Sequence, residues 1–466
     1  MYIQFFGATE QVTGSCHLIQ CGNTRILLDC GMVQGSRLDE LKNSDPFPFD
    51  PASIDAVILS HSHIDHSGRI PFLVKSGFKG PVYTHRASKD LCRIMLKDAG
   101  YLNERETEWE NKKRERKGLE LVEAYFTVQD AQDAMNQFSG IKYNIKKKIS
   151  SSISFRLLNA GHILGSSIVE CWLTENDVTK KIVFSGDLGF PDRPILQDPA
   201  IVKEADLVLM ESTYGDRLHK TPEQTYQEMT DIICQARSEK GNIIIPAFAV
   251  GRTQRLIYEF AKHYQDWGLD RWQIFLDSPM AISATEVYTK HTDLYDEEAC
   301  SLWSKNSETP LLPNFHLSRT ANQSMHLNAV RTGAIIIAGS GMCTGGRIKH
   351  HLKHNIWRHD CHIVITGFQA RGALGRSLVD GSKYIKLWGE TLKVNAKIHT
   401  VGGLSAHADQ AGLTSWFKHF VNQPKLMLVH GELGAQNALK QALENEGVPD
   451  IAIAKKGQKL DLSTIN

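Results

Sequence analysis

The sequence predicts an α/β fold of the layered αββα kind. Short β-branched or apolar runs recur along the chain, each stops at Gly or polar residues, and a helix-like segment follows. In chain order, Ile26–Asp29 runs into Cys30-Gly31, and Ala56–Leu59 into Ser60 and a His-rich turn. Ser154–Leu158 leads to Asn159-Ala-Gly-His162, Ile182–Phe184 to Ser-Gly-Asp187, and Leu207–Met210 to Glu211-Ser-Thr-Tyr214. Ile243–Ile245 runs into Pro246-Ala-Phe-Ala-Val-Gly-Arg252, Ala334–Ala338 into a Gly-rich loop ending at Arg347, and His362–Thr366 into Gly367-Phe-Gln-Ala-Arg371-Gly. Leu426–Val429 ends at His430. Ligands collect at strand ends in such folds, so these stops are where chemistry is expected.

Composition narrows the class. The chain has 466 residues, 41% hydrophobic and 23% charged, with a net charge of +1. That excludes a disordered tail, a collagen, a coiled-coil rod and a polybasic nucleic-acid coat, and leaves room for a local basic groove. The length predicts about two to three domains. The N-terminal stretch has neither the basic start nor the apolar core of a signal peptide, and the apolar runs are too short to span a bilayer. The nine Cys are scattered without a CxxC pair, as reduced thiols are. A soluble, cytoplasmic protein without membrane contact is expected.

The 20 His are in excess, and several fall at strand stops. His61-Ser-His63-Ile-Asp65-His66 places ligand-type side chains on one turn after a strand. There, His61 and His63 can serve one ion, and Asp65 and His66 another. His162, Asp187 and His430 each stand at the end of an apolar run. Alone, each reads as a cap or turn residue; with the turn at 61–66 they complete two metal shells. Two Zn²⁺ about 3.5–4 Å apart need roughly four ligands each, and Asp187 is the natural bridge. Asp29 is expected behind them, orienting a ligand His.

The segment from about 89 to 138 is charged and helix-like, with Lys112, Lys113, Arg114, Arg116 and Lys117 in one basic stretch and Lys146–Lys148 in another. Both read as solvated faces or as phosphate attractors. His350, His351 and His354 lack an accompanying carboxylate motif and read as surface or packing residues, as does His399.

These residues resemble the metallo-β-lactamase motif set: Asp29, His61-x-His63-x-Asp65-His66, His162, Asp187 and His430. Glu211 in Met-Glu-Ser-Thr-Tyr-Gly, His407 in Leu-Ser-Ala-His-Ala-Asp and His430 in Val-His-Gly-Glu are similar to motifs A, B and C of the β-CASP nucleases. The resemblance runs from residue 1 to about 450 and lies nearest to stand-alone prokaryotic members similar to the endonuclease subunit of the cleavage and polyadenylation factor. It implies an αββα metallo-β-lactamase sandwich (residues 1–208 and 395–466) with an inserted β-CASP α/β domain (209–394). A His at motif C goes with RNA-cleaving members, so single-stranded RNA is the implied substrate. The KH modules and the extra C-terminal domain of some relatives are not expected. Relatives often dimerise, which allows a homodimer.

The implied activity is zinc-dependent RNA hydrolysis, endonucleolytic and/or 5′→3′ exonucleolytic, in RNA processing or decay. Two Zn²⁺ per chain would acidify a bridging water for in-line attack on phosphorus. Asp65, Glu211 and His407 are the expected catalytic residues, with His407 protonating the leaving oxygen and Glu211 keeping it charged. Phosphates need further donors. The loops Gly339–Gly346 and Gly367–Gly372 can bring backbone N–H groups to an anion, although turns without a ligand are equally common. Ser340, Gly341, Arg252, Arg347, Arg371 and Tyr214 are the expected substrate contacts. A thioester or lactam hydrolase on the same metal core, and a non-catalytic RNA-binding paralogue, are the alternatives.

Overall fold

The apolar runs fold as strands of three large sheets in the computed structural model, which describes the chain except residues 36, 305–311, 371 and 466. One compact unit comprises Met1–Arg193, Gln197–Leu218 and His407–Asn466; a second comprises Pro194–Leu196 and His219–Ala406.

The first unit holds two seven-stranded sheets. One contains, in spatial order, Lys459–Asp461, Tyr2–Gly7, Cys16–Cys21, Thr24–Leu28, Ala56–Ile58, Val82–His85 and Phe138–Ile141. The other runs Ile451–Ile453, Lys425–Leu428, Leu207–Met210, Val178–Phe184, Ser167–Glu175, Ile153–Asn159 and Lys147–Lys148. Their facing side chains, Phe5, Ile19, Leu28 and Ile58 from one and Phe155, Val169, Phe184 and Leu209 from the other, fuse into one dry core. Alternate residues on the outer faces pack under helices: Leu27, Val57 and Leu59 with Leu73, Leu96 and Phe126, and Val183, Val208 and Leu428 with Leu413, Phe417 and Leu439. Burial of both faces explains why the central strands read as unbroken apolar runs rather than alternating ones. The αββα expectation holds for this unit.

The second unit is built on a six-stranded parallel sheet: Phe315–Leu317, Gln273–Asp277, Ala334–Ala338, Ile243–Pro246, His362–Ile365 and Lys397–Thr400. Helices cover both faces. Ile245, Leu276 and Ile337 meet Leu256, Phe260 and Ile233, while Ile244, Ile336 and Ile363 meet Ile348 and Leu352.

The two units part at Leu218 and Ala406, later than the sequence limits of 208 and 394. Glu211–Tyr214 continue from a strand of the second large sheet, and Lys397–Thr400 is an edge strand of the parallel sheet. The charged segment from 89 folds as a helix, Arg86–Glu115, and a short helix, Val128–Ala134, which begins with a Thr127–Asp130 capping box. Among the described residues no helix is long and apolar enough to cross a membrane.

Candidate metal centre

Strand ends of the first unit deliver the site. After Ala56–Ile58 the chain bends at Ser62 and then passes from His63 into the short helix Ile64–Ser67. This change of conformation sends His61 and His63 to one point and Asp65 and His66 to another. His61, His63, His162 and Asp187 offer donor atoms within 4.8 Å of one another, and so do Asp65, His66 and His430. Asp187 faces both groups: its Oδ2 lies 3.3 Å from His61 Nε2 and 3.5 Å from His162 Nε2, and its Oδ1 3.3 Å from His66 Nε2 and 3.4 Å from His430 Nδ1.

Asp29 supports the turn from behind. It is fully buried, and its φ of 59° is left-handed, a conformation that costs a non-glycine residue about 1–2 kcal/mol. Its Oδ1 accepts from Ser60 N at 2.7 Å, and its Oδ2 accepts from Ser60 Oγ at 2.9 Å and lies 2.6 Å from His66 Nδ1. That contact places the His66 proton on Nδ1 and leaves Nε2 facing His430. His430 is left-handed too, with φ 52°, held by N–H donation to Ala8 O at 2.7 Å. Exchange of Asp29 for Ala is expected to weaken metal affinity about 10–100-fold, measured by competition with a chelator; unchanged affinity would remove the orienting role.

Gly31 is where the chain has no room to spare. A Cβ there would sit 1.7 Å from Asp65 O and 2.7 Å from His66 N. The neighbouring backbone is laced to the same turn, with Cys30 N donating to His66 O at 2.8 Å and Met32 N to Ile64 O at 2.9 Å. Gly31→Ala should therefore displace the turn at a cost of about 1–3 kcal/mol. Loss of bound metal together with a lower melting temperature is the expected result. A variant with full metal content and unaltered melting contradicts it.

The donor set suits a cation. Imidazole nitrogens point at one another: His61 Nε2 lies 3.1 Å from His63 Nδ1, His63 Nδ1 3.3 Å from His162 Nε2, and His66 Nε2 3.0 Å from His430 Nε2. His162 Nδ1 and Asp187 Oδ1 are buried without hydrogen-bond partners. Burial pushes His61 down to about 3 and His63 to about 4, so both are neutral and offer lone pairs at pH 7. Burial also depresses His66, but Asp187, Asp29 and Asp65 outweigh it and raise that ring well above its ordinary value. Carboxylates that hold a proton on a buried imidazole mark a place where positive charge is favoured. Nitrogen and carboxylate donors of this kind fit Zn²⁺ and similar ions.

Beside this cluster lies a second pair. Glu211 is buried; Leu188 N donates to its Oε1 at 2.7 Å, and His407 Nδ1 is 3.0 and 3.1 Å from its two oxygens. Burial depresses His407, but Glu211 and then Asp187 outweigh it, so its pKa is raised. Its side chain keeps 18% exposure, enough to meet a ligand. Tyr214 stands beside it with ring centroids 6.0 Å apart.

The structure thus brings together the expected residues of the first unit. Those of the second unit divide. Ser340 and Gly341 lie on the loop that follows the strand Ala334–Ala338, and Arg252 opens the helix Arg252–Lys262 beyond the strand Ile243–Pro246. The Arg252 guanidinium is buried and donates to Leu404 O, and Phe248 packs so closely on Gly341 that a Cβ would meet its ring at 2.7 Å. Arg347 is engaged internally, donating to Asp277 Oδ1 at 2.7 Å and Ser318 O at 2.8 Å. Arg371 lies outside the described residues. His351 is a packing residue: it is buried, and its Nε2 is 2.6 Å from buried Asp277 Oδ2. That partner is distant in sequence, so no local motif announced it. Ser60 and Thr213, whose Oγ1 is 3.1 Å from His430 Nδ1, were also missed, because a lone hydroxyl at a strand end carries no signal.

Comparison with known proteins adds a family context. A metallo-beta-lactamase superfamily domain model matches residues 18–193, a Beta-Casp domain model 253–378, and a model for a Zn-dependent metallo-hydrolase RNA specificity domain 391–453. A Thermus thermophilus protein named a ribonuclease is 36% identical over 98% of this chain and 99% of its own length. The transcription termination factor FttA of Methanocaldococcus jannaschii is 30% identical, covering 92% of this chain and 67% of its own. An RNase J-like protein of the same organism is 29% identical over 92% of each. Among solved structures, an Enterococcus faecalis protein of unknown function shares the fold at a TM-score of 0.53, with 15% identity over 98% of this chain and 99% of that one.

Proposed function

We propose, from the premise that the chain belongs to the β-CASP RNA nucleases of the metallo-β-lactamase superfamily, that it is a ribonuclease using two Zn²⁺ held by the first unit. Metal-dependent hydrolysis of RNA is the activity of that family, and single-stranded RNA is the substrate we assign. The observation that carries the reading is Asp187, with one oxygen turned to each of two ligand groups.

In this reading His61, His63 and His162 would hold one ion and Asp65, His66 and His430 the other, with Asp187 available to both. Bound there, the ions would supply an acidified water and positive charge against the phosphate. The protein does the rest. Asp29 and Ser60 fix the ligand turn. Glu211 binds His407 Nδ1, leaving its Nε2 to donate a proton to the leaving 3′-oxygen. Tyr214 lies near enough to His407 to contact RNA there. We assign the catalytic domain to Met1–Arg193, Gln197–Leu218 and His407–Asn466 and the β-CASP domain to Pro194–Leu196 and His219–Ala406, in place of the sequence limits of 208 and 394. The loops carrying Ser340 and Gly341, with Arg252, are the proposed phosphate contacts of the second unit. Arg347 belongs to the proposed set as well; its guanidinium donates to Asp277 and its side chain keeps 21% exposure.

Internal cleavage and 5′→3′ degradation are separated by a time course on 5′-labelled and 3′-labelled RNA. Early fragments of intermediate length denote internal cleavage; mononucleotide released from the 5′ label alone denotes 5′→3′ action. No cleavage of either RNA by zinc-loaded protein contradicts the reading.

A further inference from the structure

The distal half of the helix Arg86–Glu115 takes no part in the site. Its proximal half packs against the core through Leu91, Cys92 and Leu96, and Ser88 Oγ donates to Gly165 O at 2.7 Å in the loop that carries His162. Trp109 stands about 30 Å further along the axis at 1.5 Å per residue. Beyond Asn103 the helix has no fully buried residue.

This distal half is not an ordinary solvated surface. At 3.6 residues per turn, Tyr101, Arg105, Trp109, Lys112 and Arg116 follow one another along one side, all exposed. Tyr101 is 48% exposed and Trp109 57%, large aromatic areas for a charged helix. Each carries a cation on its ring: Arg105 lies 5.3 Å from the Tyr101 centroid and Lys113 Nζ 3.1 Å from that of Trp109. Glu108, 2.8 Å from Arg105, is an acid on this side, and exposed Glu115 borders it, against the cations Arg105, Lys112, Lys113 and Arg116. Positive charge therefore prevails along this side of a molecule whose overall net charge is +1.

We propose that this arm is a second RNA-binding site, a stacking platform that holds single-stranded RNA remote from the catalytic centre. Exposed aromatic rings interleaved with cations match what an unpaired strand offers, base faces and a polyanionic backbone. The arm stacks bases on Trp109 and Tyr101 while Lys112, Lys113 and Arg116 neutralise phosphates. It gives the enzyme a preference for long substrates. The proposal rests on the ribonuclease reading for its purpose, though not for its binding test.

The test compares the full-length protein with Trp109→Ala and with a Lys112→Glu/Lys113→Glu/Arg116→Glu variant, none of them at a buried position. Binding and cleavage are measured on unstructured RNAs of about 40 and about 6 nucleotides, one well beyond and one near the lower end of the roughly 4–16 nucleotides of typical strand-binding sites. Affinity for the long RNA should fall at least about fivefold in each variant and KM should rise in step, with kcat and all values for the short RNA unchanged. Unchanged affinity for the long RNA overturns the proposal. So does unchanged RNA binding with a shift in sedimentation, which would assign the face, with nearby exposed Leu119 and Leu121, to self-association. If the unmodified protein cleaves neither RNA, the ribonuclease reading fails, and the binding titration still decides the arm.

Discussion

Asp187→Ala is expected to lower RNA cleavage by at least about 10³-fold and to reduce bound metal, with the fold intact. This carboxylate lies within 3.5 Å of His61, His66, His162 and His430, so it is the group through which two ions would be held as a pair. Charge stabilisation by such ions is worth several kcal/mol, and about 1.4 kcal/mol is tenfold in rate, which sets the expected scale. The fold should survive because Asp187 stands in the loop after Val178–Phe184 and belongs to none of the apolar clusters that make the core. His63→Ala should behave alike, since its ring faces both His61 and His162. Rapid cleavage by either folded variant contradicts the assignment.

His407 carries the second large effect. His407→Ala should lower kcat about 10²–10⁴-fold while leaving the metal bound, as loss of a general acid does. The pH dependence tests its partner. Glu211 and Asp187 raise the His407 pKa against the depressing effect of burial, so the protonated form persists above the ordinary histidine value. A required acid gives activity that is present at low pH and lost as pH rises through its pKa. Glu211→Gln keeps the size of the side chain and removes its charge, so this alkaline limb should move to lower pH, with KM little altered. A limb at the same pH in both proteins removes Glu211 from the role of holding the proton.

Much of this was legible in the sequence because the fold puts its chemistry at strand ends. Ile182–Phe184 and Leu207–Met210 are buried on both faces and so read as apolar runs, and Asp187 and Glu211 stand within three residues of their ends. The turn at 61–66 was legible because four of its residues are ligand types. What stayed hidden depends on contacts between distant residues. Gly31 matters through a backbone oxygen 34 positions away at Asp65, and nothing local distinguishes it from a turn glycine. Arg347 looked like a free cation beside a Gly-rich loop, but Asp277, from another strand, engages it. The basic stretch at 112–117 is visible as charge alone; that Tyr101 and Trp109 share its side follows only once the helix is known to continue to Glu115.

The most direct test of the central claim is to strip the protein with a chelator, add Zn²⁺ stepwise, and follow bound metal and RNA cleavage together. Cleavage should be absent from the stripped protein and should return in full as two ions per chain bind, with no recovery in Asp187→Ala. Cleavage by the stripped protein, or full recovery in Asp187→Ala, contradicts a ribonuclease built on this pair of ligand groups.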